Sequence, residues 1–326
     1  MTVRSAHREL TVAFRSMASE IELRVLDPQS GADEALVRAR GRIADVARHL
    51  TRFEQSSALS RANAAPHAWH RVPRELGEAV AEAHRAHRET GGLFDPRVLD
   101  ALIAWGYDRT FAVAIGSDPT SLPGVGGSGV PARPVPGEPW QPVVLPGGPA
   151  GDLLHLGGVP IDLGGIGKGL AVRGAAAELA GTGASVLVDA GGDEWLGGSG
   201  PDGDGWKVGV EDPHGGDEPV LVLAVTDSGI ATSSVRRRHW HVGGGAVHHL
   251  VDPRTGLPGG PGLASVTVLH ADPAWAEVWS KTLFLAGAVE VAAQAEGRGL
   301  AAAWVTDDGS VHTSPAMDRV VIWRAR

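Results

Sequence analysis

A chain of 326 residues with 43% hydrophobic and 21% charged residues is long enough for a sizeable core in one or two domains. Its net charge of -9, with Arg236-Arg237-Arg238 as the one basic triplet, argues against nucleic acid as a partner. The absence of cysteine rules out disulfides, thiolate metal sites, cysteine nucleophiles and a lipoprotein anchor. The first ten residues hold no apolar run suited to a signal peptide or a membrane span, so a cytoplasmic protein without a membrane anchor is expected.

The alternating stretches 10–14 and 21–26 read as two half-buried strands, with Met17 near their junction. A helix is expected over 34–50, because Leu36, Ile43, Val46, Ala47 and Leu50 fall on one face, and a second over 73–89. Between them, 53–63 is rich in hydroxyl and amide residues that suit caps and turns. Residues 90–98 form a loop ending in Asp95-Pro96, a cap followed by proline at the first helical position. This starts a short helix toward Trp105-Gly106. From 116 to 151 half of the residues are glycine or proline, which predicts a long, flexible surface insertion in an otherwise single domain.

Asp162-Leu-Gly-Gly-Ile-Gly-Lys-Gly-Leu-Ala171 follows an alternating run over 154–161 and precedes a helical pattern to about residue 180. Gly164, Gly165 and Gly167 let the backbone approach a ligand and present unpaired N–H groups at the helix entrance, which is an anion site. Lys168, a cation in the first turn, opposes the helix dipole and makes more sense if an anion shares the site; phosphate fits. The order matches neither established nucleotide motif, since Gly167-Lys168 is followed by Gly169. A tight strand-to-helix turn that binds nothing is equally compatible.

Further strands are expected over 185–188, 206–210, 220–225, 240–242 and 247–251, mostly antiparallel given the short connections. Asp252-Pro-Arg-Thr-Gly256 is a turn, so His249 lies near a strand end where its side chain can face a cleft. A strand over 263–269, helices over 274–286 and 288–296, and strands over 301–305 and 320–323 complete the chain.

In this order the motifs resemble the FAD:protein FMN transferases, the ApbE-type flavin transferases. The resemblance is carried by Met17, Ser57-Ala-Leu-Ser-Arg-Ala-Asn63, Thr90-Gly-Gly-Leu-Phe-Asp-Pro96 with Trp105-Gly106, the Asp162 to Gly169 stretch, Asp189-Ala-Gly-Gly192, Ala231-Thr-Ser233, the His249 to Gly256 stretch and Ser265-Val-Thr-Val268. It covers the chain apart from the insertion. It implies an α+β, T-fold-like arrangement of antiparallel sheets with packed helices, in two intertwined subdomains with a flavin cleft between them. It also implies cleavage of the FAD pyrophosphate and transfer of FMN to a Thr or Ser hydroxyl of a target flavoprotein, with AMP released and Mg2+ as helper.

Carried over by position, the resemblance implies flavin-nucleotide contacts at Met17, Phe53, Leu93, Phe94, Asp95, Asp162, Gly164, Gly165, Lys168, Thr232 and Leu250. His249 matches a base for the target hydroxyl, with Asp252 in the same motif, although a histidine standing alone at a strand end is more often structural. At the implied metal site, shared with the Gly165 carbonyl, the family's Ala-Asp-x-x-x-Thr-Ala-Leu-Phe becomes Ala276-Glu-Val-Trp-Ser-Lys-Thr-Leu-Phe284. Glu277 keeps an oxygen ligand, whereas Lys281 replaces the threonine and cannot bind a cation while protonated. At i and i+4 the two are also spaced for an ion pair. The changed ligands leave open a flavin transferase, a metal-independent FAD pyrophosphatase or a non-catalytic FAD-binding protein.

Overall fold

The computed structural model describes residues 8–107, 137–236, 238–242 and 245–325. Its largest sheet is antiparallel and has eight strands. Their order is Glu9–Ser16, Ser19–Leu26, Ser185–Ala190, Glu194–Gly197, Ser228–Ser234, Leu263–His270, Ala301–Thr306 and Val311–Thr313. The first two form a hairpin in which Ser16 pairs with Ser19, so the turn has two residues. Both, Met17 and Ala18, have positive φ, 53° and 57°. That twist suits a two-residue hairpin, but side chains other than glycine and asparagine resist it.

Alternation on the strands separates two faces. In Ala301–Thr306, Ala302 and Trp304 point into one core and Ala303 and Val305 into another. On the first face lie the helices. Ala32–Leu50 and Gly167–Leu179 cover Ile21, Leu23, Val25, Val186 and Val188, while Pro273–Ala286 covers Val266 and Val268. On the second face a smaller antiparallel sheet, ordered Val321–Arg324, Pro219–Val225, Trp206–Glu211, brings Leu221, Leu223 and Trp206 against Ile230 and Leu269. Leu263–His270 is covered on both sides and has only one residue that is not buried, although Ser265 and Thr267 are polar.

The helix Arg74–Glu89 joins the first core and packs near a three-stranded sheet of order His70–Val72, Asp152–His155, Val143–Leu145. Several sequence expectations change here. The run over 154–161 is a strand only to His155, because Gly157 and Gly158 take positive φ and Pro160 lacks a ladder donor. The strand expected over 247–251 ends at His248, and Val251 keeps a single bridge to Pro258. Of the expected insertion, 116–136 falls outside the described residues. From 137 to 150 most residues are exposed, as expected of a surface segment, but Trp140 anchors it: it is 2% exposed and its indole N–H donates to the Leu156 carbonyl at 2.8 Å.

Candidate functional site

A cleft of about 430 Å³ opens beside the first helix layer. Its walls come from the hairpin turn at Met17, the end of the first helix with Arg52 and Phe53, the Leu93-Phe94-Asp95 loop, the 162–168 turn, and Arg238, His249 and Lys281. Of the residues predicted from sequence, Met17, Phe53, Leu93, Phe94, Asp95, Asp162, Gly164, Gly165, Lys168 and His249 meet here. A second cavity, about 480 Å³, lies along Ala176, Ala180 and Trp195 and contains none of them.

The glycine turn is more closed than its sequence suggests. Gly164 N–H donates to Asp162 Oδ1 at 2.8 Å, Gly167 N–H to the Leu163 carbonyl at 2.9 Å and Gly169 N–H to Glu277 Oε2 at 2.8 Å. Backbone donors expected for an anion are therefore largely spent inside the protein, and positive charge in the cleft has to come from side chains. Gly165 is closely covered: a Cβ there would stand 2.6 Å from Lys281 Cε and 3.1 Å from the Phe94 ring, so the lysine would have to shift. Lys168, read above as a sign of an anionic ligand, has a protein counterion. Its Nζ stands 2.6 Å from Asp193 Oδ2. This buried oxygen is charge-paired but accepts no hydrogen bond among the described residues.

Arg52 was not singled out from the sequence. Its guanidinium lies over the rings of Phe53 and Tyr107, at 4.3 Å and 4.6 Å, and its Nε donates to Asp162 Oδ2 at 2.6 Å. Its Nη2 is buried with no hydrogen-bond partner among the described residues, although buried donors are normally satisfied. Adjacency to Phe53 was the only sequence signal. Asp95, by contrast, is committed: it caps Arg97 N at 2.9 Å and pairs with the Arg97 guanidinium at 2.7 Å.

His249 Nδ1 lies 3.4 Å from the Arg238 carbonyl oxygen. A carbonyl can only accept, so Nδ1 carries the proton and Nε2 the lone pair. Burial, with Arg238 and Lys281 nearby, pushes its pKa well below the ordinary histidine value, which keeps it neutral at neutral pH.

Four predicted site residues do not line the cleft. Asp252 is 6% exposed and its carboxylate is taken by the Arg254 backbone N–H and guanidinium, at 2.8 Å each, so it braces its own turn instead of His249. Thr232 faces away from the Pro273–Ala286 helix, which its neighbour Ser233 meets through Ser280, and bonds Thr267 across the strand pair at 2.8 Å. Leu250 is buried in the core. Glu277 is buried under the glycine turn. Desolvation first, then the Asp193 charge, raises its pKa to about 7.

The implied Mg2+ does not fit these residues. A divalent magnesium ion needs near-octahedral oxygen ligands, yet Glu277 is bound to Gly169 N–H and Asp193 faces Lys168. The end of the Lys281 side chain lies on the Gly165 turn itself. Nor does Lys281 close the expected ion pair with Glu277, since no carboxylate of the described residues comes within 4 Å of its ammonium. No group of three or more His, Asp or Glu among the described residues is placed to share a metal.

Comparison with known proteins gives the chain its relatives. The ApbE family model matches residues 17–304. FAD:protein FMN transferases match from Treponema pallidum, 33% identical over 37% of this chain and 34% of the relative, and from Rhodobacter capsulatus, 32% identical over 69% and 41%. The chain thus spans between a third and two-fifths of those two relatives. The Haemophilus influenzae enzyme of the same name is 27% identical over 83% and 78%. The ApbE protein of Thermotoga maritima superposes with a TM-score of 0.76 at 23% identity, over 96% of this chain and 99% of that one. The Pseudomonas stutzeri flavinyl transferase ApbE gives 0.73 at 20%, over 98% and 100%. The expected α+β arrangement of antiparallel sheets with packed helices is the fold of this chain.

Proposed function

The chain belongs to the ApbE family, and from that premise we propose that it is an FAD:protein FMN transferase acting on a Thr or Ser of a target flavoprotein. The observation that carries this reading is one cleft holding a neutral imidazole, His249, beside the cations Lys168, Arg238 and Lys281. Cleaving a pyrophosphate needs charge neutralisation on the transferred group and a base for the attacking hydroxyl.

In the proposed reaction the acceptor hydroxyl oxygen bonds to the FMN-side phosphorus. The P–O bond to the AMP phosphate breaks and its electron pair leaves with AMP. The hydroxyl proton passes to His249 Nε2, the ring nitrogen left free by the Nδ1 contact with Arg238. Phe53, Leu93 and Phe94 supply apolar wall for a flavin ring, and Met17 closes the opposite edge near Gly167. With water in place of the hydroxyl, the same steps give AMP and free FMN. That second reading, an FAD pyrophosphatase, is favoured by the absence, among the described residues, of a carboxylate hydrogen-bonded to His249 once Asp252 is given to Arg254.

The test incubates the protein with FAD and a candidate flavoprotein and follows AMP release and fluorescence of the denatured acceptor. Labelled acceptor with AMP is the expected result. AMP with free FMN indicates the hydrolase, and no AMP rules out both catalytic readings. His249→Ala should lower AMP release by ~10²–10⁴-fold, as for loss of a general base, and leave FAD affinity nearly intact.

A further inference from the structure

Lys281 sits on the floor of the cleft, its alkyl chain against Gly165; the charges acting on its ammonium are those of Glu277 and Asp162 first, then those of Arg238 and Lys168. Among the described residues no carboxylate comes within 4 Å of it. Glu277, one helical turn before it, bonds the Gly169 N–H, and Asp162 bonds Arg52. A half-buried ammonium so poorly matched to carboxylates is costly, and the surroundings push its pKa below the ordinary lysine value, burial contributing most. Together these features describe a cation position that an anion would complete. They also describe a place from which a divalent cation is repelled: like charge stands on the turn, and the nearby oxygens are already engaged.

We propose that the Lys281 ammonium is the charge-neutralising cation of this cleft, holding a ligand diphosphate at the 164–167 turn without a divalent metal ion. The proposal rests on the reading of FAD as the ligand. An ammonium is a compact point charge with three donors, able to neutralise and hydrogen-bond phosphate oxygens. It lacks the Lewis acidity of a metal and its fixed coordination geometry. Neutralisation by Lys281 therefore supports binding of the diphosphate more than polarisation of the bond to be broken, which makes slow turnover a corollary.

The experiment titrates the purified protein with FAD and with riboflavin, by quenching of flavin fluorescence, in Mg2+ and in EDTA. The dissociation constant for FAD is expected to agree within twofold between the two conditions. Lys281→Met, close in length and uncharged, is expected to weaken FAD by about tenfold or more, the scale of a lost charge-assisted contact, and to leave riboflavin, which has no phosphate, unaffected. Lys281→Arg should retain most FAD affinity. A tenfold gain in FAD affinity on adding Mg2+ to the unsubstituted protein overturns the proposal and leaves the FAD reading standing, as does unchanged FAD binding by Lys281→Met. FAD binding that is absent in both conditions overturns the FAD reading with it. Should Lys281→Met fail to fold, the comparison of Mg2+ with EDTA on the unsubstituted protein still decides.

Discussion

At the scale of single residues, the chemistry of this protein is governed by which charges are already paired. Glu194 makes the point away from the cleft floor. Burial, followed by the neighbouring Asp189, Asp193 and Glu22 charges, raises its pKa to about 8. A carboxyl group raised in the folded state contributes stability that is complete below its unfolded value near 4.3 and is lost as pH rises through its folded value, here about 8. Glu194→Gln removes that loss. Thermal unfolding should show the variant gaining stability relative to the parent between pH 6 and pH 8.5; a constant difference across that range would mean that Glu194 is not protonated in the folded state. His248 acts in the opposite direction. Its pKa is depressed to about 4, chiefly by burial, so its contribution is present above about 6.5 and fades as pH falls through 4.

Much of the cleft was legible residue by residue because motif order carries it: Met17, Phe53, Asp162 with Lys168, and His249 come from four distant stretches and line one cavity. The pairing pattern was not legible. Asp252 looks like a catalytic partner in sequence, but a neighbouring arginine two residues on captures it at the turn. Arg52 offers no sequence signal beyond its adjacency to Phe53, because its significance lies in an unsatisfied nitrogen created by tertiary burial.

At the scale of elements, the helix Gly167–Leu179 holds one glycine that its packing requires and another that it does not. A Cβ on Gly169 would fall 2.6 Å from the Ala274 Cα and from the Pro273 carbonyl oxygen, backbone of the neighbouring helix that cannot step aside. A Cβ on Gly174 would meet only the Arg42 Cβ, at an ordinary 3.7 Å. Gly169→Ala should cost ~1–3 kcal/mol through overpacking, whereas Gly174→Ala should stabilise the helix by ~0.5–1 kcal/mol. Denaturant unfolding of both variants checks this, and the same sign for both would refute the account. Helices were the more readable elements: Ala32–Leu50 and Arg74–Glu89 follow their apolar stripes closely. Glu194–Gly197 and Ser228–Ser234 escaped, the first being four residues long and the second rich in serine and glycine, so that both owe their strand state to neighbours in the sheet.

At the scale of the whole molecule, the cleft is built from segments between Ser16 and Leu285 and exists only when the entire framework is folded. A ligand that binds there stabilises the native state as a unit. FAD at a hundred times its dissociation constant should add ~2.7 kcal/mol, visible as a rise of several degrees in the midpoint of thermal unfolding. Riboflavin at the same concentration should give a smaller rise. An unchanged midpoint at saturating FAD would indicate that FAD does not engage the folded cleft.

The strand order has a consequence for synthesis. Ser19–Leu26 finds its second partner in Ser185–Ala190, which leaves the ribosome roughly 160 residues later. At ordinary elongation rates that is an interval of roughly 10–30 s. Throughout it, Ser19–Leu26 lacks its second strand partner, and until residues 167–179 are made the apolar row Ile21, Leu23, Val25 has only one of its two covering helices, Ala32–Leu50. A nascent chain in that state is a substrate for chaperones and a template for pairing with its neighbours on the same messenger. Spacing between ribosomes, and not only the finished contacts, would then govern how much of this protein reaches its native form.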